Sequence, residues 1–427
     1  MNKKPIPHLR WWIAGLLCLS TSLNYLDRQT FSVLAETIQR DLNLTTADYG
    51  KITFSFLVSY AIMYLVGGRL IDVMGSRLGF IVFVSSWSVA NMLHGFANTL
   101  NQLRVCRFLL GAAEPANFPA GVKAVTEWFP MRERALAVGV FNAGTAIGSA
   151  VSIPVVSWIA LRWGWQMAFV ATGALGFVWL VAWIPLYRLP QDHPRLSEEE
   201  RALIFSEAHT EPSGEKVPLM RLLRLPETWG CVAARVLTDP VSYFLFFWTP
   251  KYFQQERGFD LKQIGASIWI PFVVLTIGNL AGGAIPRLLI ARGWSVNRAR
   301  KTVMATISLL LMPVFCYVVT HVTSPAWAIA VMAAIMFCHA CWANITLPAE
   351  VFPKQVVGTI SGLAGAVGEL VGAAMQLYIA SVVERFSYAP VFLACAALYF
   401  LAYIVVHLLV RQLGVIRRLE PSILQRP

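Results

Sequence analysis

Several ionisable side chains lie inside stretches that are otherwise apolar. They are Asp27, Arg28, Arg107, Glu114, Arg235, Asp239 and Glu369. Burying one charge in a bilayer costs on the order of 3 kcal/mol on insertion scales, so each charge needs a partner or a function. Arginine binds carboxylates through two parallel hydrogen bonds, and a desolvated carboxylate exchanges protons readily. This set of residues therefore favours recognition of an anion together with movement of protons.

Arg28 and Arg107 are predicted at similar depth, both toward the outer ends of their spans. Two guanidiniums in a polar cavity suit a substrate carboxylate, or an outer gate, because arginine matches the geometry of that group. The alternative is that each arginine only pairs with a nearby acid. Both interpretations remain open from the sequence.

Glu114 follows Arg107 by seven residues, so the two lie on one helical face about 10 Å apart along the axis. Pro115 and Pro119 interrupt the helix there, and no basic residue lies one turn from Glu114. Asp27 has a comparable position in the first span. The two acids predict a proton path, although a structural pair with a basic neighbour explains Asp27 equally well.

The second half carries its own intramembrane charges. Arg235 and Asp239 are four residues apart and are predicted to pair on one helical face, with a bend at Pro240. A substrate role for this pair is the alternative. Glu369 lies in a glycine-rich run without a partner four residues away. It either lines a cavity or pairs across helices.

The elements that position these residues are predicted to be membrane helices. Hydrophobic residues form 57% of the 427 residues and charged residues only 14%, against about 25% charged in soluble domains. The apolar runs are long enough for helices that cross a bilayer. The chain is predicted to be all-α, with twelve transmembrane helices at roughly 11–35, 50–73, 79–98, 102–126, 134–158, 164–187, 228–252, 263–291, 301–321, 326–349, 357–382 and 388–410.

Charge and composition divide the chain into parts. We expect a six-helix bundle over 1–187, a connecting loop over 188–226, a second six-helix bundle over 227–412 and a tail over 413–427. Ser197 and Glu200 have capping-box spacing and predict a short amphipathic helix in the loop. Lysine and arginine are concentrated in alternate loops, which places both termini and this loop in the cytoplasm. That distribution also explains the net charge of +12 without nucleic acid.

The stretch from Gly68 to Arg77 resembles the loop motif of the major facilitator superfamily, with Val73 where the family commonly has arginine. A carboxylate and basic residues at a glycine turn can hold two helices together, so Gly68, Asp72, Gly75 and Arg77 imply a gate. The segments Asn24–Arg28 and Arg107–Glu114 resemble the anion:cation symporter branch of that superfamily. Further stretches, including 127–130, 165–169 and 235–240, resemble its hexuronate transporters.

The resemblance implies proton-coupled uptake of a hexuronate or related sugar acid across a bacterial inner membrane. Arg28 and Arg107 would bind the anion, and Asp27 and Glu114 would carry the proton. Hydroxyls of Tyr25 and Tyr60 would orient sugar-acid oxygens or else pack in the interior. The remaining substrate-binding candidates are Asn142, Asn344 and Glu369.

Two other functions are weighed against this one. An organic-phosphate or organic-anion antiporter of the same fold would also use arginines but needs no intramembrane carboxylate. A short internal repeat, with Phe129-Pro130 at the end of the fourth span and Phe352-Pro353 at the end of the tenth, is typical of transporters with two related halves. A non-transporting membrane receptor would not need such a repeat, a gate loop or buried charges. We expect no enzymatic activity, no cofactor and no metal. Cys338 and Cys341 lack a second ligand pair and are predicted to fill apolar space. The expected partners are the lipid bilayer, a small anionic substrate and protons, and we expect a monomer.

Overall fold

The computed structural model describes residues 5–205, 218–343 and 347–414. Within those ranges the chain is helical and has no β-strand, so the all-α prediction is confirmed. The helices of the first half are α1 (Leu9–Asp41), α2 (Thr46–Leu93), α3 (Leu100–Ala113), α4 (Asn117–Trp128), α5 (Met131–Trp163), α6 (Trp165–Leu186) and α7 (Glu198–Phe205). Those of the second half are α8 (Leu219–Leu223), α9 (Pro226–Arg257), α10 (Leu261–Ser267), α11 (Trp269–Ala291), α12 (Val296–Thr306), α13 (Met312–His321), α14 (Pro325–Ala343), α15 (Leu347–Val351), α16 (Lys354–Arg385) and α17 (Ala389–Leu409).

Within the described residues, each of the twelve predicted spans falls mainly on helical structure. In the described ranges, nine helical segments are long and apolar enough to cross a membrane, and one of them, Thr46–Phe96, contains predicted spans two and three. Predicted spans one and four, on α1 and on α3–α4, are not among these nine segments, and they carry the charges of the candidate site. Large apolar side chains such as Val178, Val181 and Leu280 are exposed, which suits a surface that faces hydrocarbon.

The helices form two compact units. The first comprises the described residues of Met1–Leu44, Ser55–Glu211 and Asp260–Ala266, and the second those of Thr45–Phe54, Pro212–Phe259 and Ser267–Pro427. In the first unit α1 packs against α5 through small residues. A Cβ atom on Gly144 would lie 2.2 Å from the Cys18 carbonyl oxygen, and one on Gly148 would lie 2.2 Å from that of Ser22. Only glycine permits this approach.

In the second unit, glycines again set the closest helix contacts. A Cβ atom on Gly278 of α11 would lie 2.5 Å from the Phe337 carbonyl oxygen of α14. Helix α9 continues through Pro240 to Arg257, so the helix does not end at that proline, and the predicted bend there stays a prediction. The repeated Phe-Pro dipeptides have equivalent positions, because Pro130 precedes α5 and Pro353 precedes α16.

The predicted gate motif forms a sharp interruption of α2. Gly75 has φ 74° and ψ 163°, a conformation that L side chains rarely adopt. The carbonyl groups exposed by this break are bound by Lys123 of α4, whose ammonium donates to Ile71 and Asp72 at 3.2 Å each. The Arg77 guanidinium donates to the Ile184 carbonyl at 3.0 Å. The motif therefore ties α2 to α4 and α6, while its role as a gate stays a prediction.

The connector forms the predicted short helix α7, and the Glu200 amide donates to the Ser197 hydroxyl at 3.2 Å. The reciprocal half of the predicted capping box is wrong, because the Glu200 carboxylate binds α1 instead. It accepts from the backbone amides of Leu9 and Arg10 at 3.0 and 3.1 Å and from the Arg10 guanidinium at 2.8 Å. In the same connector, burial of the His193 imidazole lowers its pKa below the ordinary value of histidine.

The Glu200 cap generates a stability prediction. Replacing Glu200 with Gln removes the charge that faces Arg10 and the start of α1, so we expect the free energy of unfolding to fall by about 1–2 kcal/mol. Thermal unfolding of the purified protein should show a midpoint lower by a few degrees. Glu199→Gln, an exposed neighbour on the same helix, is the control and should not change the midpoint. Equal midpoints for both variants would show that the cap contributes nothing.

Candidate anion and proton site

The first unit brings Arg28 and Glu114 together although 86 residues separate them. The Arg28 Nε and Nη2 atoms donate to Glu114 Oε2 at 3.0 and 2.8 Å. Glu114 begins a 3-10 turn, Glu114–Ala116, that separates α3 from α4, as the prolines predicted. Sequence spacing showed no basic residue near Glu114 because its partner comes from another helix. For Arg28, pairing with an acid is therefore the arrangement observed.

Aromatic rings surround the Arg28 guanidinium. Its Cζ atom lies 4.6 Å from the centre of the Tyr25 ring, 4.8 Å from that of Tyr60 and 5.4 Å from that of Phe56. Such contacts stabilise a cation through the electrons of the ring face. Both predicted tyrosines are thus first neighbours of Arg28. Phe56 was not predicted, and an apolar residue gives no sequence signal for this role.

Arg107 lies in the same cluster as Arg28. Its Nη2 atom donates to the Arg28 carbonyl oxygen at 3.4 Å, and its Cζ atom lies 4.5 Å from the Phe31 ring centre and 5.5 Å from that of Phe56. The two guanidiniums therefore share Phe56. Two cations are held together in an interior that is almost entirely closed to solvent, with Arg28 6% exposed and Arg107 2% exposed.

Asp27 faces different neighbours from Arg28. Its Oδ1 atom accepts from Asn91 Nδ2 at 2.7 Å, and the same amide donates to Thr172 Oγ1 at 2.8 Å. Among the described residues no basic side chain forms an ion pair with Asp27. The interpretation of Asp27 as part of a structural pair with a basic neighbour therefore does not describe this arrangement. Asn91 and Thr172 were not predicted, and their only signal was a polar residue within an apolar run.

Each carboxylate has one oxygen without a partner. Asp27 Oδ2 and Glu114 Oε1 are buried and accept no hydrogen bond from any residue that the structure describes. Buried polar atoms are normally hydrogen-bonded, so a proton, a water molecule or a substrate group is required at each. This site can hold protons and offers arginines for an anion.

The remaining predicted residues of the first half lie elsewhere. Asn142 is exposed on α5, and its carbonyl accepts from the Thr145 hydroxyl at 2.9 Å. Its side chain forms no hydrogen bond with Arg28 or Arg107. Asn344 lies outside the described residues.

The second unit holds its own charged cluster. Arg235 Nε lies 3.0 Å from Asp239 Oδ2, so the predicted pair at four-residue spacing is confirmed. The Tyr243 hydroxyl donates to the Glu369 carboxylate, which makes Glu369 part of a contact across helices. A Cβ atom on Gly368 would lie 2.1 Å from Asp239 Oδ2, so α16 can approach this pair only through glycine. Tyr243 was missed, although it follows Asp239 by one helical turn.

In the same unit, His339 lies between the two cysteines of the CxxC pattern and contacts Tyr399. The distance from His339 Nδ1 to the Tyr399 hydroxyl oxygen is 2.5 Å. Cys338 and Cys341 are both buried, and no group of three potential metal ligands occurs within the described residues.

Residues 17–376 match the model of the Major Facilitator Superfamily. This chain belongs to the Major Facilitator Superfamily. The chain is 34% identical over 410 residues to the "Hexuronate transporter" of Escherichia coli (strain K12), with 94% of each protein covered. It is 36% identical over 355 residues to the "Galacturonate transporter" of Dickeya chrysanthemi, which covers 82% of this chain and 99% of that one.

A solved Major Facilitator structure has the same fold. It is the inward-facing and unoccupied form of a bacterial homolog of the human lysosomal transporter Spinster, with a TM-score of 0.75 and 17% sequence identity. The match covers 95% of this chain and 99% of that chain. The predicted fold and the resemblance to hexuronate transporters are confirmed, and so is the expectation of a membrane transporter rather than an enzyme.

Gly111 generates a prediction about the site. It lies between Arg107 and Glu114, and a Cβ atom there would lie 2.3 Å from both the Phe56 carbonyl oxygen and the Ser59 hydroxyl. Gly111→Ala should push α3 away from α2, lower the free energy of unfolding by about 1–3 kcal/mol and weaken ligand binding. Gly139→Ala on α5, where a Cβ atom meets nothing within 4 Å, is the control. Thermal unfolding and ligand binding measure both, and wild-type behaviour of Gly111→Ala would contradict the packing argument.

Proposed function

We propose that this chain is a proton-coupled symporter of hexuronates or related sugar-acid anions that works by alternating access. The observation that carries the proposal is the buried Arg28–Glu114 pair, with Arg107 beside it. The relatives named as hexuronate and galacturonate transporters support the substrate class, because their substrates are sugar acids with one carboxylate.

Glu114 occupies the edge of Arg28 that a substrate carboxylate needs. Both contacts made by Arg28 end on one Glu114 oxygen, at 3.0 and 2.8 Å. When Glu114 takes up a proton it loses the charge that attracts Arg28, and the guanidinium becomes available to the substrate. Binding of the proton and binding of the anion then favour each other, which is the requirement for symport.

Charge balance supports the same coupling. The first-unit site contains two guanidiniums, on Arg28 and Arg107, and two carboxylates, on Asp27 and Glu114. Entry of one anion would leave an uncompensated negative charge in the apolar interior, which is costly. Uptake of one proton by either carboxylate restores neutrality. In this proposal the proton drives accumulation because the loaded site is neutral.

The sugar hydroxyls require further polar groups. Tyr25 and Tyr60 adjoin Arg28, and in this proposal their hydroxyls contact oxygens of the substrate bound there. Asn142, Asn344 and Glu369 remain the other proposed contacts. Aromatic faces with a few polar groups are typical of pockets that bind small polar ligands.

An antiporter of organic phosphates or other organic anions is the second candidate function. It would use the same arginines, but exchange of two anions needs no titratable acid at the guanidinium. The direct Arg28–Glu114 contact therefore favours the symporter. A receptor that does not transport has no use for an acid that competes with its ligand.

We further propose a bacterial inner membrane location, a monomer, and cytoplasmic placement of both termini and of the connector. The concentration of lysine and arginine in alternate loops supports this orientation, because such loops are retained in the cytoplasm during insertion.

The arginines are tested by substitution. Arg28→Ala and Arg107→Ala should each lower the affinity for glucuronate or galacturonate at least about 100-fold, because a desolvated carboxylate loses its counter-charge. Lysine should not restore binding, since it lacks the bidentate geometry. Arg104→Ala, one helical turn from Arg107 and partly exposed, is the matched control. Binding is measured by isothermal titration calorimetry, and wild-type affinity in both alanine variants would show that these arginines are structural.

Coupling is tested at Glu114. Glu114→Gln imitates the protonated acid permanently, so we expect it to retain substrate binding and counterflow in proteoliposomes while losing accumulation driven by a proton gradient. Asp27→Asn should behave similarly if both acids carry protons, and should lose expression or binding if Asp27 is structural. Counterflow and proton-driven uptake are measured on the same reconstituted sample. Normal gradient-driven uptake by Glu114→Gln would remove Glu114 from the coupling mechanism.

A further inference from the structure

A polar seam lies between α1, α2 and α6 in the first unit. We define the Asp27 seam as Asp27, Asn91, His94 and Thr172. Asn91 connects its parts, since its amide nitrogen donates to Asp27 at 2.7 Å, to Thr172 at 2.8 Å and to the Phe169 carbonyl at 3.3 Å. Consecutive helical residues point about 100° apart. Asp27 therefore faces this seam while Arg28 faces Glu114.

His94 completes the seam one turn after Asn91. Its ring stacks on Phe169 with centroids 4.9 Å apart and an interplanar angle of 10°. Its Nδ1 atom lies 2.8 Å from the Ala90 carbonyl oxygen, which can only accept a hydrogen bond. Nδ1 therefore carries the proton, and Nε2 of the neutral ring is a bare acceptor.

Three acceptor atoms of the seam receive no hydrogen bond within the described part of the chain. Asp27 Oδ2, Asn91 Oδ1 and His94 Nε2 are all buried and have no hydrogen-bond partner among the residues that the structure describes. All three can accept, and in this arrangement none can donate. Buried acceptors without donors indicate that protons or water molecules complete the site.

We propose that Asn91 is the positioning residue for the proton that Asp27 is proposed to carry. The inference rests on the proposed proton symport. When Asp27 is ionised, the Asn91 amide donates to it, as observed. When Asp27 is protonated, a half-turn of the amide lets Asn91 Oδ1 accept from the new O–H group. The Thr172 hydroxyl can donate or accept, so it serves both orientations.

This arrangement connects the protonation of Asp27 on α1 to Thr172 on α6 through the Asn91 amide, without a guanidinium. Glu114 and Arg107, both of the anion site, act on Asp27 through their charges, whereas the hydrogen bond that Asp27 accepts comes from Asn91. A proton on Asp27 therefore need not compete with the substrate carboxylate for Arg28. The amide of Asn91, rather than an ion pair, transmits the change.

The test uses Asn91→Leu, which keeps the volume and removes the donor. Without that donor the ionised form of Asp27 is less stable, so half-maximal proton-driven uptake should shift to higher pH by about one unit. Counterflow at saturating glucuronate should stay within about twofold of wild type. Thr172→Val should shift the midpoint in the same direction by less. Ser152→Ala, which removes another buried hydroxyl of the first unit, is the control and should leave the midpoint unchanged.

A second measurement does not depend on transport. Infrared titration of the purified protein should show a protonated carboxyl band that Asp27→Asn abolishes and that Asn91→Leu moves to a higher midpoint pH. A wild-type midpoint in both Asn91→Leu and Thr172→Val overturns the proposal. Equal loss of counterflow and proton-driven uptake in Asn91→Leu, with an unmoved infrared midpoint, also overturns it. Wild-type protein that accumulates no substrate under a proton gradient instead refutes the proposed symport. The infrared midpoints then test the role of Asn91 independently of transport.

Discussion

Charge inside an apolar interior is the constraint on which the candidate site depends. An ion in such an interior must be compensated by an opposite charge or by hydrogen bonds, because no solvent is available to do it. In the first unit Glu114 compensates Arg28 directly, and aromatic faces surround both guanidiniums. Asp27 instead accepts a hydrogen bond from the Asn91 amide and forms no ion pair with the residues that the structure describes. The two acids are therefore stabilised by different contacts, so a change of protonation at one acid need not be accompanied by the same change at the other.

The helix interruptions make these contacts possible. A regular helix would run from α3 through Glu114 into α4 without interruption. Pro115 instead lies in a 3-10 segment, Glu114–Ala116, from which the Glu114 carboxylate contacts α1. Glycines at close helix contacts have the complementary effect, because Gly111 and Gly368 let neighbouring helices approach charged residues. Local breaks in an apolar scaffold, rather than added loops, position the functional groups.

The sequence predicted the spans, the family and the identity of most buried charges. Hydrophobic runs are local, so their limits can be found without knowing the fold. The Arg235–Asp239 pair could be predicted because both residues lie on one helix. The Arg28–Glu114 pair, the Tyr243–Glu369 contact and the Asn91–Asp27 bond join different helices. A single sequence contains no distance information across helices, so these contacts required the structure.

The Glu200 cap has a consequence for biosynthesis. The first amides of α1 are bound by a carboxylate that follows them by about 190 residues in the chain. Synthesis proceeds from the N-terminus, so α1 has been made and inserted long before its cap emerges from the ribosome. During that interval the amides of Leu9 and Arg10 depend on water or lipid headgroups. The N-terminal end of α1 is thus capped only after the connector has been translated.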